Sequence, residues 1–183
     1  MNIKPCSWKK TRMSPSGTSM TELVNLLESR SKPESMLEIG AGNSTWYLHQ
    51  LNFDKYVAVE DYPSVVKNIN EQKFSNFLMV DKWIDIPIME YQYLFLDSNV
   101  GGDAHRHQRH KPLIYAIEHD LLRPDALIIV HDYSKIRLYR DNLGSKRSQP
   151  YVAWFEMEEK YGLRVIKDIG TEFGIYERRK NIS

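Results

Sequence analysis

Met36-Leu37-Glu38-Ile39-Gly40-Ala41-Gly42-Asn43-Ser44-Thr45-Trp46-Tyr47 decides how the rest of the chain is read. The stretch opens as a short apolar run broken by one acid, Glu38, turns through Gly40 and Gly42, and leaves through Asn43, Ser44 and Thr45 into a helical pattern. Strand, glycine turn, helix start is the arrangement that aims backbone N–H groups at a bound small molecule. Gly40 permits the tight turn and Gly42 lets a ligand approach the main chain. Asn43 or Ser44 is a natural N-cap for the helix that follows. A dinucleotide site favours Gly-x-Gly-x-x-Gly, but here the third glycine position holds Thr45 and an acid precedes Gly40. An acid there suits a cationic ligand and suits a pyrophosphate poorly. A tight strand–helix connection with no ligand is the plain alternative.

Around that stretch, 183 residues predict one domain, long enough for a sheet covered on both faces. A formal charge of +1 gives no whole-molecule attraction to nucleic acid or to a membrane surface. The single cysteine, Cys6, excludes an internal disulfide framework and fits a reducing, cytoplasmic setting. No apolar run approaches the roughly 18 residues of a spanning helix. The polar, basic start predicts no secretory leader.

In chain order, residues 1–19 read as an N-terminal arm and 20–183 as one domain. Thr21–Ser29 carries Leu23, Leu26 and Leu27 at helical spacing. Strands are expected at Met36–Ile39, Lys55–Glu60, Asn76–Asp81, Tyr91–Asp97, Ala126–Val130, Leu163–Lys167 and Phe173–Glu177. Helices are expected at Ser44–Leu51, Tyr62–Asn70, Lys111–Leu122 and Tyr151–Tyr161. Val100–Arg109 reads as a loop and Ile136–Gln149 as a basic, polar excursion. Strands alternating with helices predict an α/β, doubly wound, mostly parallel seven-stranded sheet that closes on the two C-terminal strands. Ligands of such sheets bind at the carboxyl ends of the strands, where Glu60, Asp81, Asp97 and His131-Asp132 fall and just inside which lies Glu38.

Taken in order, Leu-Glu-Ile-Gly-Ala-Gly-Asn-Ser-Thr, Val-Ala-Val-Glu, Met-Val-Asp, Leu-Phe-Leu-Asp and Leu-Leu-Arg-Pro-Asp-Ala-Leu-Ile-Ile-Val-His-Asp-Tyr resemble the motifs of class I S-adenosyl-L-methionine (SAM) methyltransferases. The resemblance covers roughly Thr21 to the C-terminus and departs from the family where Asp125-Ala126 replaces a pair of glycines. The His-Asp-Tyr ending and Arg12-Met13-Ser14-Pro15 look like small-molecule O-methyltransferases. That likeness implies a Rossmann-like fold with an antiparallel C-terminal strand. It also implies a methyl transfer from SAM, with the acceptor most simply a hydroxyl of a small molecule or sugar. Glu38, Gly40, Gly42, Asn43 and Ser44 would hold the methionine half of the cofactor. Glu60 would accept from the ribose hydroxyls and Asp81 from the adenine amino group. Tyr62 and Trp83 would flank the adenine ring, unless Trp83 packs against Ile84 or Ile86.

The same likeness puts Asp97, His131 and Asp132 beside the transferred methyl. Two readings stay open there. Asp97 and Asp132 would converge on magnesium or manganese, as in metal-dependent relatives, although Tyr133 and His131 stand where those carry a third ligand. Alternatively His131 would be the base itself, its ordinary pKa being near neutrality. His105, His107 and His110 read as part of a substrate-facing loop rather than a zinc site, with no cysteine nearby. The basic 136–149 segment is either a solvated surface or a cover for the acceptor pocket. A nucleic-acid methyltransferase using the basic segments, and a SAM-binding protein without activity, are the alternatives. Oligomeric state is left open.

Overall fold

The computed structural model describes residues 3–4, 15–30, 32–97, 110–141 and 152–178. Within them the chain runs α1 (Gly17–Arg30), β1 (Ser35–Ile39), α2 (Asn43–Leu48), β2 (Lys55–Val59), α3 (Pro63–Glu71), β3 (Phe77–Val80), β4 (Tyr91–Leu96), α4 (His110–Glu118), β5 (Leu122–His131), α5 (Tyr133–Arg140), α6 (Val152–Lys160), β6 (Leu163–Ile169) and β7 (Phe173–Arg178). The strands form one seven-stranded sheet in the order β3-β2-β1-β4-β5-β7-β6. Neighbours from β3 to β5 pair in parallel, and β7 runs antiparallel between β5 and β6. The expected doubly wound sheet with an antiparallel closing strand is therefore the one observed. Chain order reverses between β1 and β4, the position where open α/β sheets bind ligands.

Period-two alternation assigns the two faces. Leu37, Ile39, Val57, Val59, Leu94, Leu96, Ile128 and Val130 share one apolar cluster with residues of α4, α5 and α6. Met36, Tyr56, Ala58, Tyr93, Phe95, Leu127 and Ile129 share the other with α1, α2 and α3. All of β1 is buried, as a central parallel strand requires. Glu38 has the parity of Met36, so its carboxylate is carried to the α1–α3 side.

Three boundaries differ from the sequence reading. First, α1 starts at Gly17, so the last residues assigned to the arm are helical; Ser16 Oγ accepts from the Ser19 N–H at 3.1 Å and caps it. Second, the helix expected to reach Leu122 stops at Glu118. Asp120 takes a left-handed φ of 52°, and Leu121 N–H reaches Ala116 O at 2.8 Å. That is a Schellman ending with aspartate in the place usually held by glycine, which hides it from a search for glycine stops. The strand after it starts at Leu122, through a register irregularity between Tyr91 and Tyr93.

Third, Tyr133–Arg140 is a helix where an excursion is expected from Ile136. Its first N–H groups are met from another part of the chain: Tyr133 N–H by Glu172 O at 3.1 Å and Ser134 N–H by Thr171 O at 3.2 Å. Tyr133 and Ile136, three apart, supply the buried side. The expected Val100–Arg109 loop, with His105 and His107, and residues 142–150 lie outside the described residues. No helix among those described is long and apolar enough to cross a membrane.

Candidate cofactor and acceptor site

At the carboxyl end of β1, Gly40 has φ 92°, which only glycine adopts without strain. Gly40 and Ala41 both donate to Val59 O, at 2.9 and 3.3 Å, fastening the turn to the end of β2. Gly42 is extended at φ 176°, and a Cβ built there meets nothing within 4 Å. It therefore faces open space, as a residue that must admit a ligand should. The Gly42 N–H donates to Thr45 Oγ1 at 2.9 Å and the Thr45 N–H returns to Gly42 O at 3.1 Å. Thr45, rather than Asn43 or Ser44, thus closes the helix start.

Glu38 is fully buried beneath this turn. Its Oε1 accepts from Ser44 Oγ at 2.5 Å, and its Oε2 from Thr45 Oγ1 and from the Tyr56 hydroxyl, each at 2.7 Å. The carboxylate therefore lies one layer behind the surface a cofactor would touch, and Ser44 and Thr45 are buried with it. Glu38 and Ser44, both expected to hold the methionine half, are thus bonded to each other beneath the turn. Burial pushes the Glu38 pKa up to about 7 against the three hydroxyls, which favour the charged form; the nearby Asp97 charge raises it further. Tyr56 was not anticipated. It sits on β2 beside Met36 in register, one diagonal step from Glu38 on the same face, so strand parity was the available signal.

At the end of β2, Glu60 is nearly buried. Its Oε1 accepts the backbone N–H groups of Asp61 at 3.0 Å and Tyr62 at 2.8 Å. A carboxylate so anchored keeps acceptor capacity on Oε2 for hydroxyl donors. Burial raises its pKa, with the backbone donors opposing. Tyr62 is 63% exposed at the start of α3. Asp81 follows β3 and is exposed. Trp83 is half-buried, edge-on to Tyr115 with centroids 4.8 Å apart, so one side of it packs on the core.

On the other side of the switch point, β4 and β5 are aligned with Leu96 opposite Val130. The next residues, Asp97 and His131, are then opposite each other, and Asp97 Oδ1 meets His131 Nδ1 in a short contact. Asp97 is tied to β1 as well, its N–H donating to Ile39 O at 3.0 Å. His131 is buried, with Phe173 of β7 facing its ring at 5.4 Å between centroids. Asp132 takes a left-handed φ of 59°, and its Oδ2 meets Lys135 Nζ at 3.1 Å. Asp97 is thus brought together with His131 as a carboxylate–imidazole pair, and Asp132 meets Lys135. Among the described residues no group of three or more His, Cys, Asp or Glu side chains could hold a metal ion.

The basic residues of α5 are engaged by acids: Lys135 with Asp132, Arg137 with Asp168 at 3.5 Å, and Arg140 with Glu158. The Arg140–Glu158 pair ties α5 to α6, and Glu158 also accepts from Trp154 Nε1 within α6 at 2.8 Å.

The sheet order and the strand-end turn are those of the Rossmann-like methyltransferase fold, and this chain has that fold. An SAH-bound methyltransferase, PaMTH1, from Podospora anserina is similar at TM-score 0.68 and 13% identity, over 92% of this chain and 81% of that one. The O-methyltransferase TomG from Streptomyces achromogenes, in complex with SAM, is similar at TM-score 0.67 and 16% identity, over 92% and 82%. An O-methyltransferase from Bacillus cereus in complex with SAH is similar at TM-score 0.68 and 17% identity, over 92% and 84%. No protein-family model and no curated protein sequence matches the chain.

Proposed function

We propose that this protein is a SAM-dependent O-methyltransferase acting on a hydroxyl of a small molecule or sugar. One observation carries the reading: the carboxyl edge gathers the open Gly42 turn, the anchored Glu60 and the Asp97–His131 pair on neighbouring strands. The similar structures include SAM- and SAH-bound methyltransferases, which supports the same assignment. Acids ending β1, β2 and β4 suit a cation, and Asp97 acts electrostatically on both Glu38 and Glu60.

Bound SAM would supply a methyl group made electrophilic by its sulfonium. The chain's own residues do the rest. The turn at Gly40–Gly42 receives the methionine half, Glu60 the ribose hydroxyls, and Asp81 with Tyr62 the adenine. Asp97 accepts the Nδ1 proton of His131, which fixes the tautomer and leaves Nε2 as the basic nitrogen. His131 Nε2 would take the acceptor's hydroxyl proton, making that oxygen the better nucleophile toward the methyl group SAM would supply. Asp97 stabilises the imidazolium that results. Direct displacement needs alignment at about 3–3.5 Å and no covalent intermediate. The pairing of Lys135, Arg137 and Arg140 with acids argues against a nucleic-acid-binding use of α5. A cytoplasmic setting accords with the single cysteine.

Titration calorimetry with SAH and with NAD tests the cofactor. SAH binds and NAD does not, and Glu60→Ala weakens SAH by roughly tenfold to a hundredfold through loss of charge-assisted bonds. Binding of NAD alone would sink the assignment.

A further inference from the structure

Among the described residues, Glu38 is the one buried carboxylate that the methyl-transfer chemistry does not use directly. Every hydrogen bond it accepts comes from a hydroxyl, two from the first turn of α2 and one from Tyr56 on β2. Thr45 has its hydroxyl hydrogen committed to Glu38 and its lone pair to the Gly42 N–H. The chain of bonds therefore runs from Tyr56 through Glu38 and Thr45 to the amide of Gly42, the glycine that faces open space.

We propose that Tyr56 is a positioning residue for the cofactor turn: its hydroxyl holds the Glu38 carboxylate so that Ser44 and Thr45 set the orientation of Gly42. The proposal rests on the cofactor reading given above, and it adds a residue that touches no cofactor atom itself.

The ionised carboxylate is the form this arrangement fits. Three donors converge on its two oxygens, and a proton on Glu38 would force one hydroxyl to turn round. Turning Thr45 would withdraw its hydrogen from Glu38 and disturb the oxygen that accepts the Gly42 N–H, although its two lone pairs could still receive that N–H. Tyr56 is held in place by its own surroundings, with Phe53 and Phe77 edge-on to its ring at 5.6 and 5.2 Å. Ionisable groups near the cluster are few. Asp97 of β4 acts on Glu38 through space, and His49, following α2, lies parallel to the Tyr56 ring at 6.5 Å. Asp97 opposes ionisation of Glu38, so the Tyr56 hydroxyl is one of the groups keeping the carboxylate charged near neutral pH. Removing it disfavours the charged form.

SAH affinity measured by calorimetry from pH 6 to pH 9 tests this with Tyr56→Phe and Glu38→Gln. Wild-type affinity falls on acidification, through protonation of Glu38. In Tyr56→Phe that fall moves to higher pH, with about a tenfold loss at pH 7 and recovery to within about twofold at pH 9, as one charge-assisted bond allows. Glu38→Gln binds weakly at every pH and loses the pH dependence. A purely structural tyrosine would lower the melting temperature and leave the profile's midpoint where it was, which would overturn the proposal. Amide exchange without cofactor gives a second readout. Protection of Gly42 N–H drops in Tyr56→Phe at pH 7, and unchanged protection would equally overturn the idea. Failure of wild type to bind SAH at any pH, with Gly42 protection responding as described, would refute the cofactor reading while the coupling from Tyr56 to the turn survived.

Discussion

Glu38 and Asp97 stand near the ends of adjacent parallel strands, and the molecule treats them in opposite ways. Glu38 is sealed under the glycine turn with hydroxyl donors on both oxygens. Asp97 sits at the strand end, partly exposed, against an imidazole. The hydroxyls around Glu38 orient toward its carboxylate, so it anchors the turn. Under the proposed function the imidazole beside Asp97 is the group that takes the acceptor's proton, and that carboxylate serves it. On that proposal one half of the edge holds the cofactor and the other exchanges a proton.

The largest effect should come from the exchanging half. His131→Ala is expected to lower the methyl-transfer rate by about a hundredfold to ten-thousandfold, as loss of a general base does. SAH affinity should change by less than about twofold, since removing an imidazole beside the turn leaves the turn's hydrogen bonds intact. Rates with an identified acceptor, beside calorimetry, check both; a parallel loss of SAH binding would erase the division between the halves.

Gly42→Val is the mirror experiment on the holding half. Its extended φ and open surroundings predict little change in stability. SAH binding should fall by roughly a hundredfold or more, about 3 kcal/mol. A variant that melts normally and still binds would show that Gly42 does not face the cofactor.

Glu38 should also leave a mark on stability. Its folded pKa of about 7 lies above the ordinary carboxylate value of 4.5, so the folded chain binds this proton more tightly than the unfolded chain. The stabilisation is complete below pH 4.5 and fades as pH rises through 7, by up to roughly 3 kcal/mol. Denaturant melts across that range check it, with Glu38→Gln flattening the slope. The trend opposes that of cofactor affinity, which rises over the same range.

The smallest expected effect sharpens the contrast by packing. A Cβ at Gly174 would lie 2.5 Å from the buried Tyr133 ring. Gly174→Ala should cost about 1–3 kcal/mol by overpacking, against less than about 0.5 kcal/mol for Gly42→Ala. Urea titrations of the two variants compare them directly.

These two halves were not equally legible in the sequence. The strands were, because central parallel strands are continuous apolar runs and several end on an acid. The glycine turn was too, since Gly40 needs its φ and Gly42 its open side. What stayed hidden depended on which side chains meet. Tyr56 looked like one more aromatic in a β-rich run, and only its parity with Glu38 marks it. Register sets Asp97 opposite His131, a pairing only one of the two open readings involved, and the left-handed backbone at Asp132 accompanies a contact with Lys135. Helix α5 was missed because carbonyls of Thr171 and Glu172, distant in sequence, satisfy its first N–H groups.

The place of β7 has a consequence for synthesis. It inserts between β5 and β6, pairs His131 with Phe173, and through the turn before it supplies the carbonyls that start α5. On a ribosome, everything that builds the turn of Gly40 and Gly42 has emerged before β4 is made. The histidine's own neighbourhood waits for almost the last strand. A nascent chain stalled in α6 would thus carry a nearly complete cofactor cradle with no finished proton acceptor, and chemistry would be switched on by the arrival of the C-terminal hairpin.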